Sequence, residues 1–252
     1  MAQEERMDDF IPVKSRKKRK NRGPKANTPL PELLDRVGSE FGSDVYLNIE
    51  AHIRRMMAPL EAPCTSAVCL GLGSPTDSRN SRAQLWLLLE ICKSLNIPRH
   101  SIKLYDPAFS EQDIADLSDL GLSIVSENLH GKYIAITPTF FYLPHCGLAI
   151  YENLIRSNWQ AGLVRHLRLL ANEFLNYVES IPGSVMQAKY PCLHRLTQHL
   201  TSHTLQVPES YASAFNTTAI QYWDDSHPVP EQDDSEFWSL PPSQIEDGNE
   251  WG

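Results

Sequence analysis

The sequence predicts an α/β protein: a Rossmann-like, mainly parallel sheet with helices on both faces. Short apolar runs of strand length alternate with segments whose apolar residues recur at helical spacing. A glycine turn, "GLGSPT", joins the first such run to a helical pattern. With 252 residues, of which 41% are hydrophobic, the chain is long enough for one sizeable core, since single domains run to roughly 200–250 residues.

Taken in order, residues 1–29 read as a disordered basic tail. Lys14, Arg16, Lys17, Lys18, Arg19, Lys20, Arg22 and Lys25 crowd one stretch without an acid among them, and the tail has too few apolar residues to offset the entropy of ordering it. The folded domain is expected over 30–223. It opens with a helical pattern from Leu30 to Met57, which Gly38 and Gly42 weaken enough to permit two shorter helices. "AVCLGLG" (67–73) reads as a buried strand and Asp77–Leu95 as a helix with Leu85, Leu88, Leu89, Cys92 and Leu95 on one face. Further strands are expected at 101–107, 122–128, 133–143, 164–172 and 214–223. The helices between them are expected near 111–120, 148–158 and 173–180, while 192–205 is weakly helical. Beyond Asp224 the prolines and acids show no periodicity and predict a disordered acidic tail over 224–252.

Charge and cysteine content narrow the class of protein. The net charge of -8 hides opposite ends of opposite sign, since no Lys or Arg follows Arg195. The basic block 14–25 reads as a nuclear-import signal or a phosphate contact, because clustered cations displace counterions or fill acidic receptor grooves. The acidic remainder speaks against a nucleic-acid enzyme. Five cysteines at irregular spacing, without a C-x-x-C pair, indicate neither a disulfide framework nor a thiolate zinc site. No stretch approaches the ~20 apolar residues of a membrane span, and the charged N-terminus lacks the apolar segment of a secretory signal. A soluble protein of cytoplasm and nucleus, without a membrane partner, is expected.

Ligands of an open parallel sheet settle beyond the carboxyl ends of its strands, where helix N-termini offer free N–H groups. Gly71, Gly73 and Ser74 close the first strand there, Asp106 the second, His145 and Cys146 the fourth and Asn172 the fifth. Gly71, Gly73, Ser74, Asp106 and His145 are therefore the candidate cofactor-binding residues, with the cofactor itself unassigned. The glycines would let backbone approach a phosphate or ribose, and Asp106 could accept from sugar hydroxyls. The match is partial: a third glycine is missing, Asp106 lies beyond the roughly 20-residue spacing of the dinucleotide fingerprint, and Pro75 removes an N–H. The competing reading is a glycine turn steadied by an aspartate. No catalytic residue is assigned, because sequence neighbours such as His145 and Cys146 often point apart. No metal site is expected, since His194, His199 and His203 do not share one helical face.

The segments "VCLGLGS", "QLWLLLEI", "LYDP", "TPTFFYLPHC", "YENLIRSNW", "LLANEFLNY" and "AFNTTAIQYW" together resemble the Sensitivity to Red Light Reduced family, the SRR-like domain of plants, fungi and animals, in the family's order over roughly residues 60 to 223. The resemblance implies a regulatory protein, associated with light signalling, circadian-clock input and control of haem biosynthesis, acting through protein partners and a small-molecule rim. Its rival is a nucleotide-cofactor-dependent transferase, such as an S-adenosylmethionine methyltransferase, using the same rim. A third reading makes His145 and Cys146 iron ligands of a haem sensor.

Overall fold

The structure is a computed structural model that describes residues 28–224, 230–231 and 235–244. The basic block 14–25 lies outside the described residues. Helix α1 (Leu30–Phe41) buries Leu30, Leu34, Val37 and Phe41 as one stripe, and α2 (Ser43–Met57) buries Ile49, Ile53 and Met56. The two are separate because Gly42, at φ 87°, takes a backbone setting that residues with a side chain rarely adopt.

Strand β1 (Ser66–Leu70) leads into α3 (Arg79–Ser94), whose start is capped by the Ser78 hydroxyl accepting from the Ser81 N–H. Next come β2 (Ile102–Tyr105), α4 (Glu111–Asp119) and a short β3 (Ser123–Ile124). The second half runs through β4 (Thr139–Leu143), α5 (Leu148–Ser157), α6 (Ala161–Val164) and β5 (Leu167–Asn172). It continues with α7 (Phe174–Ser180), α8 (Gly183–Lys189), α9 (Pro191–Thr197), β6 (Thr201–Thr204) and β7 (Thr218–Tyr222). A final turn of helix, α10 (Ser235–Trp238), follows.

The seven strands form one sheet in the order β3-β2-β1-β4-β5-β7-β6. β1 to β5 are parallel, β7 runs antiparallel to β5, and β6 antiparallel to β7. Alternating side chains point to opposite faces of a strand, so Ala67 and Cys69 join the core under α1 to α3, while Val68 and Leu70 join the one under α5 and α9. β4 and β5 are buried along their whole length, as the centre of a doubly covered sheet requires. The chain moves outward to β3 and returns to β4 on the other side of β1, which makes the β1/β4 boundary the switch point of the sheet.

The α/β expectation holds, with differences at particular elements. Residues 201–204 form an edge strand instead of extending a helix, because they pair with β7. The expected strand 133–143 shortens to 139–143: the Ala135 N–H donates to the Asn158 side chain and Pro138 has no N–H to give to a ladder. The acidic stretch also departs from expectation over 235–244. Trp238 is 8% exposed there, and Phe237 stacks on Trp159 at 5.5 Å between ring centroids. No described helix is long and apolar enough to cross a membrane.

Docking of this late aromatic pair gives a direct test. Trp238→Ala should lower the urea-unfolding stability by about 3 kcal/mol, the usual scale for removing a large aromatic from a packed site. An unchanged midpoint would show that the segment adds nothing to the fold.

Candidate functional site

Two chain segments meet at the switch point. Gly71 has φ 73°, and a Cβ there would lie 2.8 Å from both the Cys146 sulfur and the Pro144 carbonyl oxygen. Only glycine fits, so the loop after β1 rests directly on the loop after β4. Gly73, at φ 69°, is equally tight: its Cβ would stand 2.7 Å from the Ser81 hydroxyl in the first turn of α3. The Gly73 N–H donates to Asp106 at 2.7 Å, and the other Asp106 oxygen accepts from the Ala108 N–H at 2.8 Å. The anion seated at the glycine turn is thus the protein's own carboxylate.

Ser74 and Thr76 are held from the other side by Asp113. One Asp113 oxygen accepts from the Ser74 hydroxyl, the Thr76 N–H and the Thr76 hydroxyl, and the other accepts from the Ser110 N–H and hydroxyl, at 2.7 to 3.0 Å. Asp113 is fully buried at 0% exposure. Burial alone would raise its pKa, but the hydrogen bonds from Ser110 and Thr76 outweigh that and hold the carboxyl below its ordinary value. Ser110 and Asp113 also form the capping box of α4. One carboxylate therefore fixes both a helix start and the glycine-rich loop.

Gly71, Gly73, Ser74 and Asp106 therefore share one rim. His145 sits on the adjoining loop at φ 54°, with its N–H donating to the Asn172 side chain. Its ring is bound at Nε2 to the Ala214 carbonyl at 3.1 Å, so Nε2 carries the proton and the ring faces the turn before β7. Cys146 is buried, and its thiol donates to the Leu70 carbonyl. Burial, reinforced by the charge of Asp106, pushes that thiol far above the ordinary range, so it does not supply a thiolate at neutral pH. An exposed His145 and an interior Cys146 do not converge on one iron. Among the described residues no group of three His, Cys, Asp or Glu could hold a metal ion.

Chemically, the rim is preorganised and locally anionic. Asp106 is half-buried and keeps accepting capacity beyond its two N–H partners, which suits a ligand that brings hydroxyl or amine donors better than one that brings a phosphate. Sequence reasoning missed Asp113, although "SEQD" at 110–113 carries the Ser-x-x-acid spacing of a capping box. It also missed two buried charges, Glu152 and Arg168, for which no local pattern announces burial.

Comparison with known proteins gives a consistent match. The SRR1 domain matches residues 45–222. The chain is 34% identical over 134 residues to a mouse SRR1-like protein, covering 53% of this chain and 54% of that one. It is 30% identical over 198 residues to Protein SENSITIVITY TO RED LIGHT REDUCED 1 of Arabidopsis thaliana, covering 77% of this chain and 64% of the relative. A Drosophila melanogaster SRR1-like protein is 26% identical over 211 residues, covering 83% and 73%. The match thus spans between about half and two thirds of the first two relatives.

The Asp113 clamp predicts an acid-dependent stability difference. Asp113→Asn, which leaves several buried donors badly matched, should cost about 2–3 kcal/mol at pH 7. A carboxyl with a depressed folded pKa stabilises above its ordinary value of 3.8 and loses that advantage as pH falls through the folded value. The gap between wild type and variant in urea unfolding should therefore close below pH 3.8. A gap that stays constant down to pH 2 would remove the charge of Asp113 from the account.

Proposed function

The chain belongs to the SRR1 domain family, and on that premise we propose that it is a regulatory protein of light- or clock-type signalling that also controls haem biosynthesis. It acts through protein partners recognised at the β1/β4 rim, with a small-molecule ligand tuning that surface. The observation that carries this reading is the junction itself: four of the segments that carry the family resemblance, "CLGLGS", "LYDP", "FYLPHC" and "LLAN", meet at this single edge. Support for partner binding over covalent chemistry comes from the buried, protonated Cys146 and from an Asp106 whose oxygens both accept backbone N–H groups, one from the loop after β1 and one from its own. The name of the Arabidopsis relative refers to a red-light response, and the proposal carries that regulatory setting to this chain. Cytoplasm and nucleus are its proposed compartments, with the basic block 14–25 engaging the import machinery.

A second reading is favoured by strand order. A sheet in the order β3-β2-β1-β4-β5-β7-β6 with only β7 reversed is also the frame of S-adenosylmethionine-dependent methyltransferases. Fold alone does not assign chemistry, and the Asp106 to Gly73 bond must be shared or opened before a cofactor ribose can use that acid.

Two measurements separate the readings. His145→Ala, at an exposed position, should leave the melting temperature within about 2 °C, since surface changes are usually worth less than about 0.5 kcal/mol. In cells lacking the protein it should nevertheless fail to restore the clock-gene or haem-pathway transcripts that wild type restores. Full restoration would take the rim out of the regulatory function. S-adenosylmethionine at 100 times a dissociation constant would stabilise the fold by about 2.7 kcal/mol. A saturable rise of several degrees with that ligand would decide for the transferase, and no rise at millimolar concentration for the regulator. For localisation, residues 11–25 fused to a cytosolic reporter should concentrate it in nuclei, and an even distribution would refute import through this block.

A further inference from the structure

At the opposite end of the sheet from the rim, a cavity of about 310 Å³ opens where the amino ends of β4 and β5 meet the last residues of β7. The α2–β1 loop covers it with Pro59 and Leu60, and Pro138 and Trp223 add to its apolar wall. Its polar lining combines the donors of Arg165, Arg168 and Trp223 with the carboxylates of Glu61 and Asp224.

Arg168, from β5, is only 2% exposed. Its Nε has no hydrogen-bond partner, and the one bond its guanidinium makes is a 3.2 Å contact from Nη1 to the Leu167 carbonyl. Among the described residues no carboxylate lies within ion-pair distance of it. Trp223 is 3% exposed, and its indole Nε1–H is likewise unpartnered. The two residues that carry these orphaned donors line the same cavity, with the N–H atoms themselves closed to solvent. Arg165 is exposed on that lining, and the His166 Nδ1 donates to the Ala135 carbonyl.

Buried charges in proteins are paired or satisfied by hydrogen bonds, because an unpaired ion in low dielectric is strongly unfavourable. Glu152 in this chain obeys that rule. It is fully buried and accepts from the Cys192 N–H, the Leu193 N–H and Arg156. Arg168 is offset only in part, by the Tyr222 ring 6.0 Å from its Cζ and by the more distant charge of Asp224, and desolvation lowers its pKa to about 10, still fully cationic at neutral pH. The group that would complete both Arg168 and Trp223 is an acceptor of negative charge. Glu61 and Asp224 also line the cavity, and their charges disfavour a polyanion.

We propose that this cavity binds a small organic oxyanion, a carboxylate or phosphate monoester on an apolar body. The oxyanion sits on the Arg168 guanidinium and the Trp223 indole N–H, and the apolar body lies against Trp223, Pro138 and Pro59. Arg165 at the exposed edge draws the anion in. The site is independent of the β1/β4 rim, so it can stand or fall without the regulatory reading.

The test uses the full-length ¹⁵N-labelled chain, following the Trp223 indole and Arg168 Nε–H resonances, identified by their loss in Trp223→Phe and Arg168→Met. Benzoate, phenyl phosphate, inorganic phosphate and chloride are added at matched ionic strength. Saturable movement of both resonances with benzoate or phenyl phosphate, absent with chloride, is the expected result, and the stronger of the two identifies the oxyanion. Arg168→Met should abolish the Trp223 movement while melting no lower than wild type, because it removes a desolvated charge that has no ion partner within bonding distance. Should Arg168→Met not fold, Arg165→Ala, at an exposed position, should weaken binding about threefold, the scale of one exposed charge pair. Movements equal to those with chloride, inorganic phosphate binding as tightly as phenyl phosphate, or binding that survives both arginine changes would overturn the proposal.

Discussion

The close approach at Gly71 is the constraint on which the architecture of the rim depends. No side chain fits between Gly71 and the Pro144–Cys146 loop, so the loops after β1 and β4 are in van der Waals contact at the point where the sheet changes direction. Every other rim contact assumes that contact. Asp106 reaches Gly73 because β2 lies beside β1 in parallel register. Asn172 reaches the His145 N–H because β5 ends beside β4. A larger residue at position 71 would separate the two loops and the side chains that depend on each.

The two ends of the sheet treat buried charge differently. At the carboxyl end, anions predominate and are satisfied locally: Asp113 by hydroxyls and N–H groups of Ser74, Thr76 and Ser110, Asp106 by Gly73 and Ala108. Backbone N–H groups and helix starts supply such partners wherever parallel strands give way to helices. At the amino end Glu61 and Asp224 line the cavity, yet among the described residues Arg168 makes one hydrogen bond, to the Leu167 carbonyl, and keeps an unmet donor. Helix C-termini offer free carbonyls at that end of a parallel sheet, so the unmet donor is particular to the position of Arg168 and does not follow from the topology.

Most of the alternation was legible because its elements carry a local signal. β1, β2, β4, β5 and β7 are short apolar runs, and α3, α4 and α5 repeat their apolar residues at helical spacing. β6 was not legible: "TSHT" has no apolar alternation and is a strand only because β7 lies beside it. The convergence of Gly71, Gly73, Ser74 and Asp106 followed from topology once the strands were placed. Their mutual bonding did not, since Asp106 turning onto Gly73 instead of outward depends on loop geometry. The amino-end cavity left no trace in any single stretch, being assembled from the α2–β1 loop, the α6–β5 junction, Pro138 and the end of β7.

The two regions are joined by the same strands without being one site. β5 carries Arg168 near one end and Asn172 at the other, a separation of about 13 Å at the usual rise per residue. At that distance perturbations that share no partner generally act independently. Besides the β5/β7 ladder and the bond from the Glu173 N–H to the Thr217 carbonyl, the strands are linked by Gln221, whose amide donates to the Asn172 carbonyl while its oxygen accepts from the Phe174 N–H. It anchors β7 to β5 at the end where α7 begins, two positions from Trp223 along the chain. A ligand on Trp223 would thus press on a strand held to β5 along its ladder as well as at Gln221, so its effect is confined to the amino-end cavity while that ladder stands.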